Sequence, residues 1–169
     1  MATAGKNLSE MDKRSTPSAA PFRFGIVASE WNAEITDALT EGAKGALLEL
    51  GAWENHVTVK RVPGSYELPI AAKLLIDSGD YDAVVAIGSV IQGETRHFEF
   101  VCQAVAQGVK DVSLQTGVPV IFRVLTDDTI EQARARSGGK HGNKGVEAAV
   151  AAVKMAYFRK QLKSPSEAE

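Results

Sequence analysis

The chain has 169 residues, enough for one domain of the usual ~100 to 200 residues with a single buried core and too few for a second full domain. Hydrophobic residues make up 44%, and a formal net charge of −2 gives no electrostatic case for nucleic acid or for an anionic membrane surface. A single cysteine excludes an internal disulfide, and three scattered histidines with no cysteine partner give a zinc site little support.

Residues 1–21 mix Ser, Thr, Ala and Lys with Pro17 and Pro21 and show no apolar period, which reads as a flexible N-terminal arm. A transit peptide is the competing reading. Glu10 and Asp12 count against it, because such segments are poor in acidic residues. No charged-then-apolar leader opens the chain and no apolar run approaches the ~18 residues of a spanning helix, so a soluble, cytoplasmic protein with no membrane partner is expected.

From Phe22 to residue 163 strands and helices alternate in one domain. Phe24-Gly25-Ile26-Val27-Ala28 predicts a first strand. Asn32 then caps a helix with Ile35, Leu39, Ala43, Ala46 and Leu50 on one face, stopped by Gly51. The second strand is Val57–Val62, followed by a helix through Leu68, Ala71, Ala72, Leu75 and Ile76 that tolerates Pro69 in its first turn. Ala83-Val84-Val85-Ala86-Ile87 lacks polar alternation and suits a third strand buried on both faces. Its helix carries Phe98, Val101, Cys102, Val105 and Val109, with Cys102 read as a small core residue rather than a nucleophile.

A fourth strand spans residues 118–122, with Pro119 near its start where a missing N–H does least harm. Two helices follow: a short one over residues 126–136, and a longer one capped by Asn143 with Val146, Ala149, Val150, Val153 and Tyr157 at helical spacing. Residues 164–169 form a polar tail. The alternation predicts an α/β fold, a flavodoxin-like three-layer α/β/α sandwich with a four-stranded parallel sheet.

Parallel strands deliver the loops that follow them to one edge, where ligands sit in open α/β sheets. Four segments should meet there: residues 29–32, 63–67, 88–97 and 122–126. Trp31 is either a flat face for a heteroaromatic ring or a core aromatic. Gly64-Ser65-Tyr66-Glu67 offers amides and a carboxylate to a polar ligand, although Glu67 alone also suits a helix N-terminus. Gly88 through Thr95 reads as a turn whose backbone N–H groups favour an anion, with the Glu94 side chain pointing away from it. His97 is then a proton carrier or an ordinary surface histidine. No Gly-Lys-Ser/Thr follows, so this is not a P-loop. Arg134, Arg136, Lys140 and Lys144 are the later candidates to pair with a phosphate.

Taken together, Phe24-Gly25-Ile26-Val27 with Trp31-Asn32, Val62-Pro63-Gly64-Ser65-Tyr66-Glu67-Leu68-Pro69, Gly88-Ser89-Val90-Ile91, Gly93-Glu94-Thr95, His97-Phe98-Glu99 and Gly142-Asn143-Lys144-Gly145 resemble the 6,7-dimethyl-8-ribityllumazine synthases. The resemblance covers residues 22–162. It implies condensation of 5-amino-6-ribitylaminouracil with 3,4-dihydroxy-2-butanone 4-phosphate, with loss of phosphate and water and with no metal or organic cofactor. By motif, Trp31 stacks on the pyrimidine, and Ser65, Tyr66, Glu67, Ser89, Val90 and Ile91 bind the pyrimidine and its ribityl chain. Glu94 and Thr95 form the phosphate turn with Arg136 as its cation, His97 transfers protons, a neighbouring subunit supplies Phe122, and Lys144 has a supporting role.

The resemblance also implies partners: two small-molecule substrates, further copies of the chain as a homopentamer with an icosahedral shell of pentamers as the larger assembly, and riboflavin synthase. The unbroken link Gly138-Gly139-Lys140-His141-Gly142-Asn143-Lys144-Gly145 resembles shell-forming members, whereas Pro17 and Pro21 disfavour the added edge strand that accompanies the shell. Arg123 stands where the family usually has glycine, Gln92 where a basic residue is frequent, and Tyr66 where phenylalanine is frequent. A module of the same fold that binds flavin or lumazine without making it, or a shell protein without catalysis, is the alternative.

Overall fold

Each apolar run becomes a strand, and helical crossovers return the chain so that all four strands point the same way. The structure is a computed structural model and describes residues 15–163. In chain order the elements are β1 (Phe24–Ser29), α1 (Ala33–Glu49), β2 (Val57–Val62), α2 (Leu68–Asp77), β3 (Ala83–Ile91), α3 (His97–Thr116), β4 (Val120–Asp127), α4 (Ile130–Arg136), β5 (Ser137–Gly139), β6 (Gly142–Asn143) and α5 (Lys144–Lys163). The main sheet has the order β2-β1-β3-β4, all parallel, with Ala28 opposite Ile87 and Ile91 opposite Asp127. This is the expected flavodoxin-like three-layer sandwich.

Both sheet faces are covered, which is why β1 and β3 show no polar alternation. Phe24, Ile26, Val85 and Ile87 pack beneath α1 and α5 with Ile35, Leu39, Leu47 and Val153. Val27, Val84 and Ala86 face α2 and α3 with Leu68, Leu75, Val105 and Val109. Helix α5 approaches α1 closely because Gly145 has no side chain; a Cβ there would run into the Leu39 carbonyl. Asn143 secures the same junction, its Nδ2 donating to the Ala38 carbonyl at 2.8 Å and its Oδ1 accepting the Gly145 N–H at 2.8 Å. The predicted cap of the last helix is therefore present.

Several boundaries differ from expectation. Strand β3 runs on through Gly88-Ser89-Val90-Ile91, which sequence reading assigns to the turn. Glycine and serine there are strand residues because they pair with Val124 and Leu125 of β4, and residue 88 is glycine where Ser65 leaves no room for a Cβ. Strand β4 starts after Pro119 and extends to Asp127, so residues 126 and 127 belong to it. Helix α4 accordingly begins late, where Thr129 accepts the Gln132 N–H. The β5–β6 hairpin was unforeseen, being only three and two residues long. Pro69 does fall in the first turn of α2, and Gly51 ends α1 at φ 100°.

The arm reading concerns residues 1–14 in part, and these, like the tail 164–169, lie outside the described residues. Ala19 is buried, and its N–H donates to the Leu50 carbonyl at 2.9 Å. No helix among the described residues is long and apolar enough to cross a membrane.

Candidate active site

The chain leaves β1 toward β2 on one side and β3 toward β4 on the other, so β1 and β3 flank the point where strand order reverses. A cleft of about 710 Å³ opens there. Its walls come from the turn after β1 (Trp31, Asn32), the turn after β2 (Gly64, Ser65, Tyr66, Glu67), the end of β3 (Ser89, Val90, Ile91) and the start of α3 with its preceding turn (Gly93, Thr95, His97, Phe98, Phe100, Val101). Three of the four predicted segments thus converge. The fourth does not, because Phe122 lies five residues before the end of β4 and faces outward.

Local hydrogen bonds hold the walls. The N–H groups of Glu30 and Trp31 donate to the carbonyls of Val62 and Pro63 at 2.8 and 3.2 Å, extending the β1–β2 pairing beyond the strands. Trp31 stays 74% exposed, which removes the core-aromatic reading and leaves its ring free on the cleft. Tyr66 and Phe100 are likewise exposed on the rim. Glu67 lines the cleft and accepts the Gly64 N–H at 2.9 Å at the start of the short helical turn over residues 65–67. Ser89 is buried with a hydroxyl that has no hydrogen-bond partner among the described residues.

Asn32 corrects one expectation. Its side chain does not cap α1; Nδ2 instead donates to the Ser89 carbonyl at 2.9 Å. The true turn after β3 is residues 92–96. Gln92 is anchored through its N–H to the Asp127 carbonyl at 2.9 Å, and the Thr95 hydroxyl accepts the His97 N–H at 3.4 Å. Glu94 is exposed and its side chain does not line the cleft, whereas His97 is exposed on the first turn of α3 and does.

The basic candidates lie elsewhere. Among the described residues no Lys or Arg lines the cleft. Arg136 donates from Nη1 to the Gln132 carbonyl at 2.9 Å and stands 3.7 Å from Asp127. Burial pushes the Asp127 carboxyl up from its ordinary value, Arg136 opposing the shift. Arg134 is committed to Glu34 through two bonds of 2.8 and 2.9 Å, which tie α4 to the start of α1. Lys144 is paired with Glu147, and Lys140 is exposed on the hairpin. Arg123, also near Glu147, has a guanidinium pushed down by burial, with Glu147 opposing. Cys102 is half-buried, and loss of hydration raises its thiol, consistent with a packing residue. Among the described residues no three His, Cys, Asp or Glu side chains gather as metal ligands.

The family model for 6,7-dimethyl-8-ribityllumazine synthase matches residues 21–160, which includes every wall of the cleft. The chain belongs to this family. Proteins named 6,7-dimethyl-8-ribityllumazine synthase from Christiangramia forsetii and Flavobacterium johnsoniae are 58% and 55% identical to it. The alignments cover 96% of this chain and 98% of the first relative, and 95% of this chain and 85% of the second. One from Parabacteroides distasonis is 48% identical over 94% of this chain and 99% of its own length.

For this lumazine synthase family member, sequence reasoning placed Asn32 at the ligand edge only as a helix cap and missed its bond to β3, together with Phe100 and the rim position of Phe98 and Val101. Phe98 and Val101 share a helical face with Val105, and periodicity alone puts all three in the core. Only Val105 is fully buried, because the first turn of α3 overhangs the cleft. The signal available was position: a helix entered from a ligand loop spends its first turn at the site.

Proposed function

We propose that this chain condenses 5-amino-6-ribitylaminouracil with 3,4-dihydroxy-2-butanone 4-phosphate to 6,7-dimethyl-8-ribityllumazine, releasing phosphate and water, in the penultimate step of riboflavin biosynthesis. The observation that carries the reading is one cleft, in a member of this family, holding an exposed indole, a turn after a parallel strand and an imidazole together. Trp31 stacks on the pyrimidine. Ser65, Tyr66, Glu67, Ser89, Val90 and Ile91 hold the pyrimidine and ribityl groups through hydroxyl, carboxylate and backbone contacts. The backbone of Glu94 and the hydroxyl of Thr95 bind the phosphate, and Arg136 supplies the cation.

The amine attacks the ketone and water leaves, phosphate is then eliminated, and ring closure expels water again. Each of these steps moves a proton. His97, beside the turn, shuttles those protons, a task suited to imidazole near neutral pH. The overall reaction needs no external oxidant, and no metal or organic cofactor enters the proposal. Orientation of two substrates in one cleft contributes more than proton transfer, since effective molarities far exceed the ~10² to 10⁴ of general acid–base help.

A neighbouring subunit supplies Phe122, and Lys144 plays a supporting part. The exposure of Phe122 on the open edge of β4 and the lack of a basic side chain among the cleft residues support a site completed across a subunit boundary. We assign a homopentamer, with an icosahedral shell of pentamers and riboflavin synthase as further partners, in the cytoplasm. Exposed Leu114, Met155, Phe158 and Leu162 border one apolar groove, as expected of a surface covered in an assembly.

The test is to mix the purified chain with both substrates and follow lumazine fluorescence together with inorganic phosphate. The reading predicts that the two rise in equal amounts. Tight binding of lumazine or flavin with no product formed would instead make the chain a binding module.

A further inference from the structure

Asn32 is the only non-glycine residue with positive φ among the described residues, at φ 57° and ψ 48°. A side-chain-bearing residue is uncommon in this left-handed region, and asparagine tolerates it better than most. Strain of this kind persists where the surroundings enforce it, and such positions cluster at functional sites. Here the enforcing contacts are visible. The Asn32 carbonyl accepts the N–H groups of Ile35 and Thr36 at 2.9 and 3.1 Å, starting α1, while its side chain turns the other way and reaches β3.

The bridge falls where the ladder has ended. The last β1–β3 pair is Ala28 with Ile87, so Ser89 has no partner strand on that side. Asn32 Nδ2 takes its carbonyl at 2.9 Å and so continues the sheet with a side chain. Both joined segments line the cleft: Trp31 and Asn32 from one, Ser89, Val90 and Ile91 from the other.

We infer that Asn32 is a positioning residue for the condensation: its amide bridge sets the distance between the Trp31 ring and the end of β3, and with it the width of the pyrimidine slot. Aspartate would present a carboxylate oxygen to the Ser89 carbonyl, so near-identity of shape does not preserve the bridge. Glycine keeps the backbone conformation and removes the bridge. The inference rests on the reading that the pyrimidine stacks on Trp31, and its test separates the two.

Steady-state kinetics with each substrate varied in turn are measured for Asn32→Gly, Asn32→Asp, Trp31→Ala and the double variant Trp31→Ala/Asn32→Gly. The inference predicts that Asn32→Gly raises KM for the pyrimidine about tenfold, the equilibrium weight of one hydrogen bond of ordinary strength, with kcat and the KM of the phosphate substrate within about twofold of the parent. Asn32→Asp should be at least as impaired despite its shape. In the double variant the effects should not add, because Asn32 acts through Trp31. An unchanged pyrimidine KM in Asn32→Gly overturns the inference, as does a loss shared equally by both substrates and kcat alongside a lowered Tm. If Trp31→Ala leaves the pyrimidine KM unchanged, the stacking reading falls and the inference falls with it. If Trp31→Ala raises that KM and Asn32→Gly does not, only the inference falls.

Discussion

The rim between β1 and β3 gathers Trp31, Tyr66, Glu67, Ser89 and His97 around a single cleft, whereas the β4 side carries Phe122, Arg123, Arg136 and Lys144, none of which lines it. The first region is built by neighbouring strands and short turns whose backbone bonds fix the side chains. The second is an open sheet edge and the helices beside it, where charges pair with one another: Arg136 with Asp127, Lys144 with Glu147, Arg134 with Glu34. The exposed indole of Trp31, the Tyr66 ring and the hydrogen-bonding groups around them are thus assembled within one chain, without Phe122. Permanent positive charge for a phosphate is not, and the proposed reaction needs both.

Substitutions in each region can break that division. The largest effect is expected in the cleft itself: His97→Ala should lower kcat by roughly 10² to 10⁴ while leaving measurable activity, because orientation survives. Complete loss with substrate binding intact would contradict a role limited to proton transfer. Next, Arg136→Gln should raise KM for the phosphate substrate roughly tenfold to a hundredfold, the span of hydrogen bonds to charged groups, with the pyrimidine KM unchanged. Kinetics in which only the pyrimidine KM moves would remove Arg136 from the phosphate.

Phe122→Ala should act on the other substrate, raising the pyrimidine KM about tenfold through lost ring contact. Since the ring is exposed in the single chain, the folded protomer should keep its Tm. A collapse in Tm would make Phe122 a packing residue instead.

The smallest effect concerns the point where the regions touch, Asp127, whose strand position pairs with Ile91 of the cleft wall. Burial holds its carboxyl above the ordinary value. The stability linked to its protonated form is therefore complete below the unfolded-state pKa and is lost as pH rises through the raised folded-state value. Asp127→Asn should raise Tm modestly at neutral pH, with the gain shrinking as pH falls toward the ordinary carboxylate range. A pH-independent gain, or none at neutrality, would show that Arg136 fully compensates the buried charge.

Most of the first region was legible in the sequence. Uninterrupted apolar runs identify strands buried on both faces, parallel strands send their following turns to one edge, and so Trp31, Ser65 to Glu67 and His97 had to meet. What stayed hidden depends on contacts between distant residues. Gly88-Ser89 has turn composition, and pairing with Val124 and Leu125 of β4 makes it strand. Asn32 looks like a helix cap, and its bond to a carbonyl 57 residues away replaces that role. The β4 side was harder because Thr126 and Asp127 favour a turn locally, yet pairing with β3 extends the strand through them.

The division of the proposed site is tested most directly by mixing two defective chains. His97→Ala and Phe122→Ala protein are unfolded together in equal amounts, refolded, and assayed at pyrimidine concentrations below the parent KM. If Phe122 serves the cleft of a neighbouring copy, random assembly restores intact sites and activity rises to about one quarter of the parent value. If each cleft uses its own Phe122, the mixture keeps the mean activity of the two variants, and the claim of a shared site fails.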